Sequence, residues 1–304
     1  MLRSFSLLAC CLLFSPLAAL AQVSLYDLGD AFSYGTAGMS SAGAFGIQAL
    51  PANPASLSFE QCFGMEFSSA LDFAKNSYKF VNLGIVNSET YPVAIGSSYR
   101  LLSVGPSKER STAHILTLSA SVLMGPIFHI GVSARQYFLL GPQNAYPFNF
   151  DLGILSHWFW IASFSLSAHN LIQHSSIHTP RYFAFSSAFR WSGLRTFDFI
   201  TVIAEIHHSL DNDQLLFRLG GSLEYLFSKT LSMRLGYAYE WLPLPYDRQI
   251  QKGHVLGMGL GYTAAFGSVD LGYRHTFGGS HNRVLALTGR FWFEPPKIRS
   301  LFFG

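Results

Sequence analysis

Along most of this chain, small or polar residues alternate with large apolar residues in segments of about ten positions. In residues 231–241, LSMRLGYAYEW, one set of positions holds Leu, Met, Leu, Tyr, Tyr and Trp, and the intervening set holds Ser, Arg, Gly, Ala and Glu. A period of two residues places these sets on opposite faces of a β-strand. Residues 215–227, 269–277 and 63–73 repeat the pattern. The chain therefore predicts a β-sheet whose two faces differ in polarity.

The composition of the two faces indicates which of them meets lipid. The polar face contains little Lys and much Gly, Ser and Ala, whereas ring-bearing residues lie at the ends of the apolar face. The outer face of a water-soluble sheet would instead be rich in Lys, Glu and Thr. Hydrophobic residues form 49% of the chain, yet no apolar run beyond the N-terminal region reaches the ~18 residues that a spanning helix needs. We therefore predict a transmembrane β-barrel with lipid outside and a polar lumen inside.

Fourteen segments follow the alternating pattern, an even number, as expected of an antiparallel barrel that closes without free edges. They lie near residues 62–73, 77–86, 91–103, 112–124, 127–139, 147–155, 158–169, 181–191, 197–208, 214–227, 229–241, 254–265, 268–277 and 283–293. The predicted fold is all-β, an antiparallel barrel of about 14 strands over residues 61–293. Segments 77–86 and 197–208 alternate poorly, so a difference of two strands stays open.

The first residues have the features of a secretory signal peptide. A basic residue, Arg3, precedes an apolar run, and small residues at 19–21 provide a cleavage site. Residues 1–21 are therefore predicted to be removed during export to the bacterial outer membrane. A lipoprotein cleavage site before Cys10 is disfavoured, because it would leave too short an apolar region. The mature chain would keep Cys62 alone, so neither an internal disulfide nor a cysteine metal site is predicted.

The polar face of the predicted barrel carries nearly equal numbers of acids and arginines. These predicted lumen charges are Glu66, Asp72, Arg100, Arg135, Asp151, Arg190, Arg218, Glu224, Arg234, Glu240, Asp270, Arg274 and Arg290. Such a balance favours a lattice of cross-strand ion pairs over a selectivity ring, because ring filters carry mainly one sign of charge. An open porin is therefore disfavoured. The formal net charge of +3 and the lack of a Lys/Arg cluster also disfavour a nucleic-acid partner.

The segment before the first strand, residues 22–60, alternates poorly. Within it, residues 36–50 are rich in Gly and Ala and are predicted to contain a short helix. Small residues let one backbone approach another closely, so we expect this segment to lie inside the lumen as a plug. Asn53 and Pro54 are expected to fix the turn from plug to first strand, since Asn favours turns and Pro restricts the residue before it.

The N-terminal motifs resemble those of the FadL-like outer-membrane barrels. Members of that family begin with a G-M-G-x-A-G helix and continue to N-P-A-x-L, which resemble GMSSAG at 38–43 and NPASL at 53–57 here. Further short matches are DLG at 151–153, NL at 170–171, GSLEY at 221–225, RLGY at 234–237, GLGY at 259–262 and DLGY at 270–273. In this order the motifs look most similar to the PorV/PorQ-type branch, which belongs to type IX secretion.

This resemblance implies an outer-membrane protein through which small hydrophobic compounds pass passively, gated by the N-terminal plug. The implied plug or gate residues are Gly38, Met39, Gly43, Asn53, Pro54 and Ala55. The PorV/PorQ branch implies an alternative, a non-conducting scaffold that docks secreted proteins. One fold serves both uses, so both stay open. The implied partners are outer-membrane lipid and either a hydrophobic small molecule or secreted and secretion-system proteins, with no cofactor.

Neither a metal site nor catalytic residues are predicted. His169, His174 and His178 lie close together in the sequence, but their spacing fits neither a helical pair nor a zinc finger. His169 and Asn170 are adjacent on a predicted strand and are expected to point to opposite faces, which would prevent them from orienting one another for nucleophilic catalysis. Residues 294–304 form a C-terminal tail to which the sequence assigns no role.

Overall fold

The computed structural model describes most of the chain between Gly29 and Ile298, and the statements below concern those residues. The described ranges are 29–38, 42, 44, 46–73, 78–89, 92–104, 111–125, 127–141, 144–158, 161–172, 181–194, 197–211, 215–228, 230–243, 250–277 and 283–298. Several predictions fall outside the described residues: the signal peptide at 1–21, the proposed gate residues Met39 and Gly43, and the histidines His174 and His178.

Fourteen strands form one closed antiparallel barrel, as predicted. They are β1 (Glu60–Asp72), β2 (Tyr78–Asn87), β3 (Val93–Val104), β4 (Ser111–Met124), β5 (Phe128–Leu140), β6 (Phe148–Trp158), β7 (Ala162–His169), β8 (Tyr182–Leu194), β9 (Phe197–Ser209), β10 (Leu215–Leu226), β11 (Leu231–Pro243), β12 (Ile250–Ala264), β13 (Gly267–Phe277) and β14 (Arg283–Ile298). Each strand pairs with its neighbours in sequence, and β14 pairs with β1 to close the sheet. Closure leaves no unpaired strand edge to face lipid.

The two faces of the barrel wall separate as the alternation predicts. In β11, Leu235 and Tyr237 are 39% and 48% exposed, whereas Arg234 and Ala238 are 7% and 0% exposed. The same division recurs in β13 and β14, where Leu271 and other large apolar side chains point outward. The outer surface is therefore an apolar belt that suits a lipid environment.

One part of the inner face is apolar, which differs from the uniformly polar lumen expected from the sequence. It consists of Tyr78 and Phe80 on β2, Leu102 and Val104 on β3, and Ile115 on β4, all of them buried. We call these five residues the inner apolar wall. Because β2 carries apolar residues on both faces, its alternation is weak, which explains the irregular pattern noted at residues 77–86.

The N-terminal segment, residues 29–59, forms short helical pieces instead of one helix over 36–50. They are α1 (Ala31–Gly35), a 3-10 turn (Gly46–Gln48), α2 (Ala49–Ala52) and a second 3-10 turn (Pro54–Ser58). Among the described residues, no helix has both the length and the apolar character needed to cross a membrane.

The position of α1 has a local cause. It starts one turn earlier than predicted because Asp30 caps it, with Asp30 Oδ1 accepting from Ser33 N at 2.8 Å. It ends at Gly35 because Ala37 and Gly38 adopt positive φ angles of 62° and 79°, in the left-handed region that ends helices. The predicted helix at 36–50 is therefore wrong in position.

The last strand runs past the expected barrel end at residue 293, into the predicted tail. Gln61 pairs with Lys297, and Glu60 pairs with Ile298. The pairing of β13 with β14 extends only to Phe291, so Pro295 and Pro296 lie where β14 has a partner on one side alone. Proline cannot donate to a sheet ladder and is tolerated at such an edge position.

The closed hydrogen-bond ladder predicts heat-modifiable migration. An unheated sample in dodecyl sulfate should migrate faster than a boiled one, because a barrel with no free edge resists unfolding by the detergent. Circular dichroism of the unheated protein should be dominated by β-structure. A helix-dominated spectrum would contradict this fold.

Candidate functional site in the barrel lumen

The N-terminal segment lies in the lumen, where glycines of the wall form a groove beneath α1. Gly236 on β11 is paired with Gly257 on β12, and Gly272 lies on the adjoining β13. A Cβ atom at Gly257 would lie 2.5 Å from the Tyr34 carbonyl oxygen, and one at Gly272 would lie 2.8 Å from the Ala31 carbonyl carbon. Any side chain at these positions would displace α1.

A second pair of glycines receives the Asn53–Pro54 turn. Gly131 on β5 and Gly153 on β6 are directly paired. A Cβ atom at Gly131 would lie 2.6 Å from the Pro54 carbonyl oxygen, and one at Gly153 would overlap Asn53 Oδ1. The turn therefore approaches the wall at backbone distance.

Asn53 joins this turn to two strands. Its Nδ2 donates to the Ile154 carbonyl oxygen at 3.2 Å and to Ser165 Oγ at 2.7 Å, which lie on β6 and β7. Its Oδ1 accepts from Ala55 N at 2.9 Å, which caps the following 3-10 turn. Asn53 is 0% exposed, so one buried amide both caps the following 3-10 turn and anchors the segment to the wall.

The start of the segment is held by an ion-pair cluster around Arg290. This arginine pairs with Asp30, the N-cap of α1, and with two wall carboxylates, Glu66 at 2.9 Å and Asp270 at 2.6 Å. All four side chains are mostly buried. A buried charge is stabilised only when its partners remain in place, so Arg290 couples the N-terminal segment to β1 and β13.

Arg234 extends the same cluster along β11. It pairs with Asp270 at 2.5 Å and with Glu224 at 2.9 Å. Its guanidinium also lies over the Phe32 ring of α1, 4.5 Å from the ring centroid, an arrangement that favours a cation over an aromatic face.

Arg218 forms a second contact between wall and segment. It pairs with Glu240 at 2.5 Å and with Glu205 at 3.5 Å. It also donates to the Gly38 carbonyl oxygen at 3.1 Å. The Gly38 carbonyl oxygen, in a residue with positive φ, thus accepts a hydrogen bond from Arg218 of the barrel wall.

Arg135 forms a third contact of this kind, whereas Arg100 does not. Arg135 pairs with Asp151 at 2.5 Å and donates to the Pro51 carbonyl oxygen at 3.2 Å. Arg100 is buried, and its Nε donates weakly to Asn82 Oδ1 at 3.4 Å. Among the described residues it has no carboxylate within 4.0 Å.

The structure places the predicted lumen charges on the inner face. Those that are buried are Glu66, Asp72, Arg100, Arg135, Asp151, Arg218, Arg234, Asp270 and Arg274. Those that are partly buried are Arg190, Glu224, Glu240 and Arg290. Sequence reasoning missed Asp30 and Glu205. An acid directly before a helix start could have indicated Asp30, while Glu205 lies in the poorly alternating segment at 197–208.

A small cavity remains between the N-terminal segment and the wall. Its volume is about 70 Å³. Its polar lining includes Asp30, Glu66, Arg100, Arg135 and Arg218. Its apolar lining includes Phe80 and Ile115 of the inner apolar wall. A dry cavity that binds benzene has about 150 Å³, so the lumen in this conformation has no room there for an aromatic ring.

The inner apolar wall also contacts α1 directly. The hydroxyl groups of Tyr34 and Tyr78 are 3.2 Å apart, and Ala31 packs in the same apolar cluster as Phe80 and Leu102. An apolar path along the lumen therefore ends at the N-terminal segment.

The expected geometry of His169 and Asn170 is wrong. Asn170 follows the end of β7 with a φ angle of 55°, so the chain no longer alternates there and both side chains are buried inward. Asn170 N donates to Asp151 Oδ1 at 2.9 Å, and Tyr137 Oη donates to Asn170 Oδ1 at 2.8 Å. The argument from opposite faces therefore does not hold for this pair.

A serine, a histidine and an aspartate do come together here. His169 Nε2 lies 2.8 Å from Ser167 Oγ, and His169 Nδ1 lies 3.4 Å from Asp151 Oδ2. Ser167 is 1% exposed and, unlike His169, does not line the cavity. Within the described ranges, no group of three or more His, Cys, Asp and Glu side chains is arranged to hold a metal ion.

Comparison with solved structures establishes the type of barrel. The fold is similar to the CymD monoaromatic hydrocarbon channel, with 13% identity, a TM-score of 0.70 and coverage of 90% of this chain and 99% of that one. It is also similar to a deltaS2 mutant of the TodX monoaromatic hydrocarbon channel, with 12% identity, a TM-score of 0.62 and coverage of 90% of this chain and 100% of that one. A Pseudomonas aeruginosa FadL homologue has 11% identity, a TM-score of 0.57 and coverage of 88% of this chain and 98% of that one. The barrel has a FadL-type fold. No protein-family model and no curated protein matches the sequence.

The glycine groove predicts a sharp contrast between two glycines on adjacent strands. Gly272→Ala should weaken docking of α1 by about 1–3 kcal/mol, the usual cost of overpacking, and should make residues 29–59 accessible to protease. Gly289→Ala is the matched control, because a Cβ atom there would have nothing within 4 Å. Equal protease resistance of the two variants would contradict the groove.

The ion-pair cluster predicts a second contrast. Arg290→Ala should lower the free energy of unfolding by about 3–5 kcal/mol, because it leaves two buried carboxylates, Asp30 and Glu66, without their arginine partner. Arg181→Ala removes the more exposed pair with Asp211, whose side chains are 28% and 21% exposed, and should cost at most about 1 kcal/mol. Denaturant unfolding of the folded barrels in detergent measures both, and similar midpoints would refute the buried assignment.

Proposed function

We propose that this protein is an outer-membrane barrel for passive passage of small hydrophobic compounds, with the N-terminal segment acting as a plug. The observation that carries the proposal is the inner apolar wall, which leads along the lumen to α1 and to a cavity too small for an aromatic ring. An apolar inner surface has no use in a channel for polar solutes. The inner apolar wall suits binding of a hydrophobic compound until the N-terminal segment moves.

The exit follows from the charge of the remaining lumen. A hydrophobic compound crossing the arginine and carboxylate clusters into water would lose about 25 cal/mol for each Å² of apolar surface re-exposed. Passage through the wall into the surrounding lipid avoids that cost. We therefore propose entry at the long-loop end, displacement of the plug and lateral exit into the membrane.

The gate is proposed to be residues 35–57, including Gly38, Asn53, Pro54 and Ala55, together with Met39 and Gly43. Asn53 is proposed as a latch, since it bonds to both β6 and β7. β7 is a short strand of 8 residues. Release of Asn53 would free the segment from that side of the wall.

The descriptions of the structurally similar barrels support passage of hydrophobic compounds as the proposed activity. CymD and TodX are described as monoaromatic hydrocarbon channels, and the third neighbour as a FadL homologue. None of these descriptions names an enzyme, and Ser167 is buried. The proposed partners are therefore lipid and a hydrophobic small molecule, with passage and not catalysis as the activity. The scaffold of the PorV/PorQ type is the competing outcome of the test.

Loosening the latch should open the barrel. Asn53→Ala removes two hydrogen bonds to the wall, each worth about 1 kcal/mol, and should increase uptake of a hydrophobic fluorescent dye by cells that produce the variant. Deletion of residues 36–50 should increase it further. Asn144→Ala, an exposed asparagine that bonds Gly141 N, is the control and should leave uptake unchanged.

Heat-modifiable migration must first show that each variant forms its barrel. If the deletion variant assembles but dye uptake stays at the wild-type level, gating is wrong. If, in addition, cells with the deletion variant lose a protein that is normally secreted to the cell surface, the docking-scaffold function replaces the gating proposal.

A further inference from the structure

The outer face of the barrel carries a patch of basic side chains at the end with the long connections. The patch, which we call the basic rim, consists of Lys79 on β2, Arg283 on β14, His275 on β13 and His254 on β12. All four point outward, and Lys79, Arg283 and His254 are exposed. These strands are neighbours through β1, so the basic rim has residues on both sides of β1, where the barrel closes.

Strand register brings these residues close together. Arg283 lies directly opposite His275, and His254 lies opposite Phe277. Lys79 lies opposite Leu71 of the intervening β1. Strand spacing of about 4.8 Å and a rise of about 3.4 Å per residue put the Cα atoms of Lys79 and Arg283 about 12 Å apart. Their long side chains can therefore reach one headgroup.

Within the described part of the chain, no acidic side chain pairs with Lys79 or Arg283. Among the described residues, neither Lys79 nor Arg283 has a carboxylate within 4.0 Å, and the outward positions of β12, β13, β14, β1 and β2 at this end carry no acid. Asp72 at the end of β1 is buried and accepts a hydrogen bond from the Arg283 backbone N–H. In contrast, Arg181 elsewhere at this end is paired with Asp211 at 2.8 Å.

An apolar surface continues directly from the basic rim toward the middle of the barrel. Leu71, Leu285 and Leu83 are 40%, 38% and 49% exposed. Leu83 lies on β2 with Lys79, Leu285 lies on β14 with Arg283, and Leu71 lies on β1 between these strands. A ligand that fits both surfaces has an anionic head and hydrocarbon chains.

We propose that the basic rim binds a phosphate-bearing lipid of the leaflet at the long-loop end, with its phosphate between Lys79 and Arg283 and its acyl chains on the leucines below. Arg283 offers a planar fork for two phosphate oxygens and Lys79 a compact charge. This site lies on the outer face, and it is independent of the proposed passage through the lumen. Basic groups at the edge of an apolar belt attract anionic lipid headgroups.

A lipid suits the site better than free phosphate. Exposed charges alone are screened by salt over about 8 Å at physiological ionic strength. Contact of acyl chains with the leucines adds apolar burial, which salt does not screen. Binding of the lipid should therefore survive salt concentrations that abolish binding of inorganic phosphate.

The test uses the full-length barrel purified in a zwitterionic detergent. Native mass spectrometry during titration with bisphosphorylated lipid A should show a bound lipid on the wild type. The double variant Lys79→Gln, Arg283→Gln should bind it at least tenfold more weakly. Arg181→Gln is the matched control, an arginine at the same end that is already paired, and it should bind as the wild type does.

Two results would overturn the proposal. Equal lipid binding by the double variant and the wild type would show that the basic rim is not the site. Displacement of the lipid by millimolar inorganic phosphate would show that the site recognises the free anion. Heat-modifiable migration of the double variant confirms that it is folded, since both substitutions are on the exposed outer face.

Discussion

The close approach between the backbone of the N-terminal segment and the backbone of the barrel wall determines most of this structure. It is possible only where the wall lacks a Cβ atom, at Gly236, Gly257 and Gly272 beneath α1 and at Gly131 and Gly153 beneath the Asn53 turn. Gly236 pairs with Gly257, and Gly131 pairs with Gly153, while Gly272 lies on the strand next to Gly257. The glycines therefore form grooves instead of isolated gaps. The grooves fix the depth of the segment, and the depth fixes how little of the lumen stays open.

The charged side chains of the wall bind the N-terminal segment, but their ion pairs within the wall do not require the segment. Arg218 and Arg135 each donate to a carbonyl of the segment, but each is also paired with a wall carboxylate, Glu240 and Asp151. Removal of the segment would leave these pairs intact. A buried charge that keeps its partner is not strongly destabilising, so the displacement of the segment that the proposed gate requires would not leave these charges unpaired.

The lumen has a charged part and an apolar part, and their positions indicate where a hydrophobic compound would enter under the proposed function. Arginines and carboxylates surround the centre, while the inner apolar wall lies on β2, β3 and β4 toward the long-loop end. Under the proposed function, a hydrophobic compound would contact the apolar side and would be disfavoured at the charged side. The same separation of apolar and charged surfaces appears on the outside, where the basic rim lies at the edge of the apolar belt.

The sequence by itself determined the barrel, its fourteen strands and the inward direction of charges such as Glu66 and Arg234, because strand alternation is local and is imposed by lipid on one face. It also placed the Asn53–Pro54 turn. It did not determine the helix position, since capping by Asp30 and the positive φ of Ala37 outweigh the small-residue composition of 36–50. The partners of each charge, the inner apolar wall, the cavity and the inward turn of Asn170 were decided only by the tertiary structure. They depend on contacts between residues far apart in the chain, and alternation within one strand carries no information about which distant residue lies opposite.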